Sequence, residues 1–380
     1  MPTATTRTMD LTPNEALYLA IEQGERGWKL AFTTGFGQKP RYKGIPAGDV
    51  ERLAEEIRRA GKRFRLAPDA TVRSCYEAGR EGFWLHRCLQ GQGVENLVVD
   101  SSSIEVNRRA RRAKADRLDA GKLLTQLMRY HHGERKVWSV VHVPSVSEED
   151  ARHLHRELKM LKQSRTRLTN RIRGILVTQS VRRPGPIRTL RERLEQLQSW
   201  DGSPLPAGLR GRVERECDEL AFIEKRIERL QSERRRLLRE DQSPALDQVR
   251  QLLALKALGI ESSWVFVMEF FAWRRFRNRR QVGSLAGLTP TPFQSGNSNK
   301  EQGIGKDGNR HVRAMAVEIA WVWLRYQPDS ALSRWYQRRF SEGGPRARRV
   351  GVVAVARKLL IELWRYLETG ALPEGAVTKS

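Results

Sequence analysis

"LYLAIEQGERGWKLAFT", residues 17–33, decides how the chain begins to fold. Two β-prone runs, LYLAIE (17–22) and WKLAFT (28–33), flank QGERG, where Gly24 and Gly27 mark a hairpin turn. Outward from it, PRYKGIP (40–46) supplies a third, edge strand. GDVERLAEEIRRAG (48–61) has helical periodicity and ends in Gly61. TVRSCYEAG (71–79) alternates as a strand, EGFWLHRCLQGQG (81–93) reads as a helix stopped by glycine, and ENLVVD (95–100) is another strand. Leu118, Leu123, Leu124 and Leu127 then lay a helical stripe over Asp116 to Tyr130.

The order β-β-β-α-β-α-β-α is that of the ribonuclease-H-like α/β fold, the class to which RuvC belongs, and it is predicted for residues 1–145. After Pro144 the character changes. Leu154, Leu158, Leu161, Leu168, Ile172 and Ile175 keep a heptad spacing interrupted by Arg165. A Pro/Gly-rich break (183–208) follows; then Leu220, Ile223, Ile227, Leu230 and Leu237 repeat the spacing, interrupted by Arg234. Residues 146–244 are therefore expected to form two amphipathic helices joined by a linker, either an antiparallel coiled-coil arm that serves dimerisation or two helices of an ordinary bundle. Residues 245–380 read as a mostly α-helical domain. There LLALKALGIESS (252–263) ends a helix at Gly259 and resembles half of a helix-hairpin-helix element. The stretch 283–313 reads as a Gly/Ser/Asn-rich loop that leads into the helix NRHVRAMAVEIAWVWLRY (309–326), and VGVVAVARKLLIELWRYLETG (350–370) closes the domain.

Lys and Arg number 70 against 44 acids, a formal charge of +26 over 380 residues. That excess points to an acidic polymer, with nucleic acid ahead of a membrane surface. No run of about 18 apolar residues is present to span a bilayer. MPTATTRTMDLTP lacks the apolar core of a signal peptide, and Cys75, Cys88 and Cys217 are too widely spaced for a zinc motif or disulfide framework, so a reducing cytoplasm is expected. Two basic stretches are candidate phosphate contacts: NRRARRAK, with Arg108, Arg109, Arg111, Arg112 and Lys114, and WRRFRNRRQ, with Arg274, Arg275 and Arg277 interleaved with aromatics. A solvated charged face or a flexible segment is the plainer alternative for the first.

Asp116 and Asp119 stand three residues apart at the start of a helix, where acids commonly serve as caps. Glu22 ends the first strand and Glu77 ends the strand after the first helix. In a ribonuclease-H-like sheet those strands are central neighbours, so the four acids would converge. Carboxylates about 4 Å apart repel by roughly 1–4 kcal/mol per pair, which calls for a cation. An oxygen-only set suits Mg²⁺ or Mn²⁺, and a pair of such ions serves phosphodiester chemistry. Asp100 reads as a cap for the turn after its strand rather than a ligand. In QSGNSNKEQGIGKDGNRHVR, Ser295 or Ser298 is a candidate nucleophile, with Lys300, Lys306, Arg310 and Arg313 as phosphate-stabilising cations and His311 the nearest histidine. A surface loop without catalytic function is the alternative.

These residues resemble the IS110 family of insertion-sequence transposases, DEDD-plus-serine recombinases guided by a structured non-coding bridge RNA. The resemblance rests on LYLAIEQGERGWKLAF, CYEAGREGFWLHR, LVVD and NRRARRAKADRLDAGKLL, and more specifically on Gly-Leu-x-Pro, Ser-Gly and Gly-Ile-x-Lys-x-Gly-Asn in SLAGLTPTPFQSGNSNKEQGIGKDGNRHVR, together with AWVWLRYQPDSALSRWY. It implies that Glu22, Glu77, Asp116 and Asp119 are the four RuvC-like acids, binding Mg²⁺ or Mn²⁺, and that Ser295 is the catalytic serine. The first acid of the family is usually Asp; Glu22 is one methylene longer. The resemblance further implies a homodimer assembling to a tetramer, with the acids of one protomer meeting the serine of another, on element-end DNA, target DNA and guide RNA. A metal-dependent junction-resolving nuclease and a catalytically inactive nucleic-acid-binding protein are the alternatives.

Overall fold

The computed structural model describes residues 16–105, 116–295 and 298–379. The chain separates into two compact units, 1–144 and 145–380.

The first unit is built on a mixed five-stranded sheet. Its elements follow in the order β1 (Ala16–Gln23), β2 (Gly27–Thr33), β3 (Arg41–Pro46), α1 (Val50–Arg63), β4 (Thr71–Glu77), α2 (Trp84–Gly91), β5 (Glu95–Val99) and α3 (Asp116–His131). The spatial order is β3-β2-β1-β4-β5, antiparallel through β1 and parallel beyond it. The β1–β2 turn closes with the Gly24 amide donating to the Gly27 carbonyl (3.1 Å), and a Cβ on Gly24 would lie 2.6 Å from that same oxygen. Strand alternation sorts the apolar side chains onto two faces. Leu17, Leu19, Ile21 and Tyr76 pack against Leu53 and Ala60 of α1 and Leu85 and Leu89 of α2. Tyr18, Ala20, Ala31 and Cys75 pack against Ala120, Leu123, Leu124 and Leu127 of α3. The element order expected from sequence is present. Two details differ. Leu118 is half exposed and Ala120 takes its place in the stripe, while α1 runs through Gly61 to Arg63 and turns only at Arg65, whose φ is +56°.

The second unit is largely helical. A short helix α4 (Val146–Asp150) precedes α5 (His153–Val177), and α6 (Leu190–Arg193) precedes the long α7 (Ala207–Glu240). α5 and α7 lie antiparallel, with Arg171 paired to Glu216 (2.6 Å) at one level and Arg226 to Glu157 (2.5 Å) at another. Their seam buries Leu158, Leu161, Leu168, Ile172 and Leu176 against Val213, Cys217, Leu220, Ile223 and Ile227. The heptad spacing is thus satisfied within one chain. The segment expected as a linker is packed: Ile187, Leu190, Leu194 and Leu205 are buried in the same cluster.

The remainder comprises α8 (Pro244–Ala254), α9 (Ile260–Phe266) continued by a π-helical turn (Val267–Phe271), α10 (Arg279–Leu285), strands β6 (Pro290–Ser295) and β7 (Ser298–Ile304), α11 (Arg310–Tyr326), α12 (Ala331–Phe340) and α13 (Pro345–Thr369). One apolar core joins these helices. Gly259 does not end a helix; α8 stops at Ala254, Ala257 takes φ +84°, and Gly259 caps the start of α9. The expected Gly/Ser/Asn-rich loop is in part an antiparallel hairpin, with Gln294 opposite Asn299 and Ser295 opposite Ser298.

Candidate active site

Parallel pairing sets Ile21 beside Tyr76, so Glu22 and Glu77 follow side by side at the ends of β1 and β4. The period of two fixes their face. Ala20 and Cys75 pack toward α3, and two residues on, Glu22 and Glu77 belong to the same face. Both line one open cleft of about 330 Å³ with Gln23, Glu25, Arg80 and Glu81. Arg80 is engaged by Glu25 (3.3 Å) and Glu81 (3.7 Å).

Helix α3 runs opposite to β1. The His131 ring lies 6.0 Å from that of Tyr18 near the strand's start, and the Cys75 thiol donates to the Leu123 carbonyl (3.8 Å) at mid-strand. Gly121 stands against Tyr42, which lies level with Ala31 and hence Ala20. The helix therefore starts at the end of the sheet that carries Glu22 and Glu77. Asp116 opens α3, and Asp119 follows within its first turn. The Asp119 carboxylate accepts from Lys122 (2.9 Å), an exposed i,i+3 pair. Such pairs contribute about 0.3–0.5 kcal/mol, so a metal ion would displace the lysine at little cost. Among the described residues no group of three or more acids, histidines or cysteines is close enough to hold a metal. Asp100 caps the turn after β5, accepting from the Ser102 amide (3.0 Å) and hydroxyl (2.9 Å), as expected. Arg108, Arg109, Arg111, Arg112 and Lys114 lie outside the described residues.

In the second unit Ser295 closes β6, directly opposite Ser298 on β7. This serine end is the far end of the hairpin. Gly305 and Lys306 sit at its base, their amides donating to the carbonyls of Thr289 (2.9 Å) and Gly287 (3.3 Å). Five residue-to-residue steps along the strand separate Ser295 from Pro290, roughly 17 Å at the rise of an antiparallel strand. Of the four cations expected near the serine, Lys306, Arg310 and Arg313 belong to the base of the hairpin, and Lys300, opposite Phe293, is carried on β7 itself. Arg313 donates to the Lys306 carbonyl (2.8 Å) and holds the loop closed. A Cβ on Gly308 would lie 2.2 Å from the Leu285 carbonyl, so the loop passes α10 backbone to backbone. His311 is in the first turn of α11, its Nδ1 accepting from Lys159 (3.2 Å), and burial holds its pKa below the usual value.

The basic stretch before α10 divides. Arg275 and Arg277 are exposed. Arg274 stacks on Trp273 (3.9 Å) and Phe270 (5.1 Å) and donates to the Glu269 carbonyl (2.7 Å); burial lowers its pKa to about 10. This guanidinium packs against the aromatic cluster.

Glu269 was not expected from sequence. It lies on the π-helical turn with its side chain wholly enclosed. It accepts from His155 (2.8 Å), from Arg156 twice (2.7 and 2.9 Å) and from Asn309 Nδ2 (3.1 Å). Burial alone would raise its pKa, but these donors hold the carboxyl well below the usual range. Asn309 also caps α11, its Oδ1 accepting from the amides of His311 (2.9 Å) and Val312 (3.2 Å). The cluster therefore ties α5 to the helix that follows the serine hairpin. The available signal was a lone acid in an apolar run, SSWVFVMEFFAW (262–273), which buries a charge and so demands a cation.

An acid-bearing sheet end, a strongly basic chain and a serine hairpin describe a class of protein that acts on nucleic-acid phosphates. Residues 249–337 match the family model described as Transposase IS116/IS110/IS902 family. The chain is 39% identical over 385 residues to "Putative transposase y4rJ" of Sinorhizobium fredii, covering 96% of this chain and 95% of that protein. It is 30% identical over 236 residues to "Probable family 20 transposase" of Pseudomonas aeruginosa (60% of this chain, 66% of that protein). A further relative, "Transposase for insertion sequence element IS1328" of Yersinia enterocolitica, is 23% identical over 185 residues (48% and 53%). The chain belongs to the IS116/IS110/IS902 family of transposases. It is an enzyme acting on DNA, the transposase of an insertion sequence. Among the described residues no helix is long and apolar enough to cross a membrane.

Proposed function

We propose that this transposase is a bridge-RNA-guided recombinase in which Ser295 attacks a DNA phosphate and a RuvC-like acidic site of Glu22, Glu77, Asp116 and Asp119 positions the strand. The observation that carries the reading is the pairing of Glu22 and Glu77 on one face of two adjacent strand ends, at the end of the sheet where α3 begins with Asp116 and Asp119. This sheet, with its strand order β3-β2-β1-β4-β5, is read as ribonuclease-H-like. Side-by-side carboxylates fit a hard divalent cation, and Mg²⁺ or Mn²⁺ is assigned to these four acids. Bound there, the ion would supply charge neutralisation for the phosphodiester under attack.

The Ser295 oxygen forms a bond to phosphorus, the P–O3′ bond breaks, and the 3′ oxygen leaves as a hydroxyl. A 5′-phosphoserine link conserves the ester energy, so strands rejoin without an external energy source. As the family resemblance implies, the acids are taken from another protomer of a dimer or tetramer. The antiparallel α5–α7 pair, read as a coiled-coil arm, contributes its outer faces to that assembly, its inner seam being filled within the chain. Exposed Arg275 and Arg277, with Lys300, Lys306, Arg310 and the 108–114 arginines, contact DNA and guide RNA phosphates.

Ser295→Ala and Ser298→Ala, incubated with element-end DNA, guide RNA and Mg²⁺, test the nucleophile. Ser295→Ala loses cleavage and the denaturation-resistant adduct, while Ser298→Ala keeps both. Normal cleavage by Ser295→Ala with no adduct from either protein would make the chain a metal-dependent nuclease.

A further inference from the structure

Helices α5, α7, α9 and α11 enclose a recess of about 130 Å³ whose wall includes His155, Lys159, Arg234, Glu261, His311 and the exposed Glu318. Arg234 stands where the heptad spacing of α7 calls for an apolar residue. It is only 6% exposed, and its Nε and Nη1 have no hydrogen-bond partner. His155 is 4% exposed; its Nε2 is spent on Glu269, and its Nδ1 is likewise unpartnered. Buried polar groups are ordinarily satisfied, and an unpaired buried guanidinium is among the costlier exceptions. The acid nearest to hand, Glu261, is already paired with Lys162. Lys159 and Glu261 also belong to the wall of a shallow groove along α5, together with Lys162, Gln163, Thr166 and Arg167.

We infer that this recess holds one backbone phosphate of a nucleic-acid strand laid along the α5 groove. Arg234 supplies a buried positive charge in the wall, Lys159 a charge-assisted donor at the junction with the groove, and Lys162 and Arg167 flank the neighbouring phosphates. A recess of about 130 Å³ has room for a tetrahedral oxyanion. Contact confined to phosphate is blind to sequence, as a transposase that reads more than one nucleic acid requires. The inference rests on the chain acting on DNA and is independent of the serine assignment, since binding is measured without cleavage.

Arg234→Met removes the charge and keeps the bulk. It should melt at or above the wild-type temperature, because an unpaired buried charge is replaced by an apolar chain. Inorganic phosphate, compared with chloride at equal ionic strength, should raise the wild-type midpoint and leave that of Arg234→Met unmoved. With single-stranded oligonucleotide, Arg234→Met should bind roughly tenfold more weakly, and its slope of log K against log salt should fall by about 0.7. Lys159→Gln, at the edge of the recess, should lower the slope likewise and stands in should Arg234→Met fail to fold. Equal phosphate stabilisation of wild type and Arg234→Met, or no stabilisation of either, overturns the inference. So does an unchanged salt slope in the variants, which would leave the recess a site for free phosphate alone.

Discussion

Glu269 and the pair Glu22–Glu77 are carboxylates set in opposite surroundings. Glu269 is wholly enclosed and met by His155, Arg156 and Asn309. Glu22 and Glu77 share an open cleft in which the arginine, Arg80, is taken by Glu25 and Glu81. An acid saturated by donors has no capacity left for a ligand, and it holds helices together. Acids set side by side at an open sheet end are, on the proposed reading, the pair that would hold a cation. On that reading the same residue type serves architecture in one unit and chemistry in the other.

The largest expected effect breaks the comparison at its reactive side. Glu77→Gln should reduce DNA cleavage in Mg²⁺ by at least roughly 100-fold, the loss of a few kcal/mol of metal-assisted stabilisation. Its unfolding midpoint should move little, since the cleft is open. Full cleavage by this variant would remove Glu77 from the site.

Glu269→Ala is the converse. It should leave Arg156 and His155 facing an empty position and destabilise the second unit by about 3 kcal/mol, the low end for a broken buried pair because Arg156 is partly solvated. The pH dependence has a definite sign. The folded carboxyl titrates below its ordinary 4.5, so its stabilisation is fully present above that pH and is lost as pH falls through 4.5 toward the folded value. Denaturant midpoints of wild type should drop in that acid limb, and Glu269→Ala should lack this part of the drop. Parallel curves for the two proteins would mean that Glu269 holds nothing together.

Much of the first unit was legible because strand alternation and turn glycines are local signals. LYLAIE and TVRSCYE each place an acid two residues after a small buried residue, Ala20 and Cys75, and the parallel register does the rest. The serine region was legible as a motif and not as a shape: Gly, Asn and Ser suggest a loop, yet backbone pairing across Ser295 and Ser298 makes a hairpin. That long-range pairing also sets Lys306, Arg310 and Arg313 at the hairpin's base. The heptad seam was legible, but whether it closes within a chain or between chains is a tertiary fact the spacing does not encode. Arg274 and Arg275 look alike in sequence; only the packing of Trp273 and Phe270 separates the enclosed guanidinium from the exposed one.

The smallest expected effect sharpens the reactive side. Glu22→Asp, which restores the shorter acid usual in the family, should keep cleavage and alter only its dependence on Mg²⁺ concentration, whereas Glu22→Gln should abolish cleavage. Indistinguishable activity of all three proteins would remove Glu22 from the metal set.

The most direct measurement mixes two inactive proteins of different mass, Glu77→Gln and Ser295→Ala, on element-end DNA with guide RNA, and asks which polypeptide carries DNA after denaturation. Neither protein alone should form an adduct. The mixture should, with the nucleotide on the Ser295-containing peptide of the Glu77→Gln chain, as the proposed sharing of one protomer's acids with the other's serine requires. An adduct on the Ser295→Ala chain would contradict the assignment of the nucleophile.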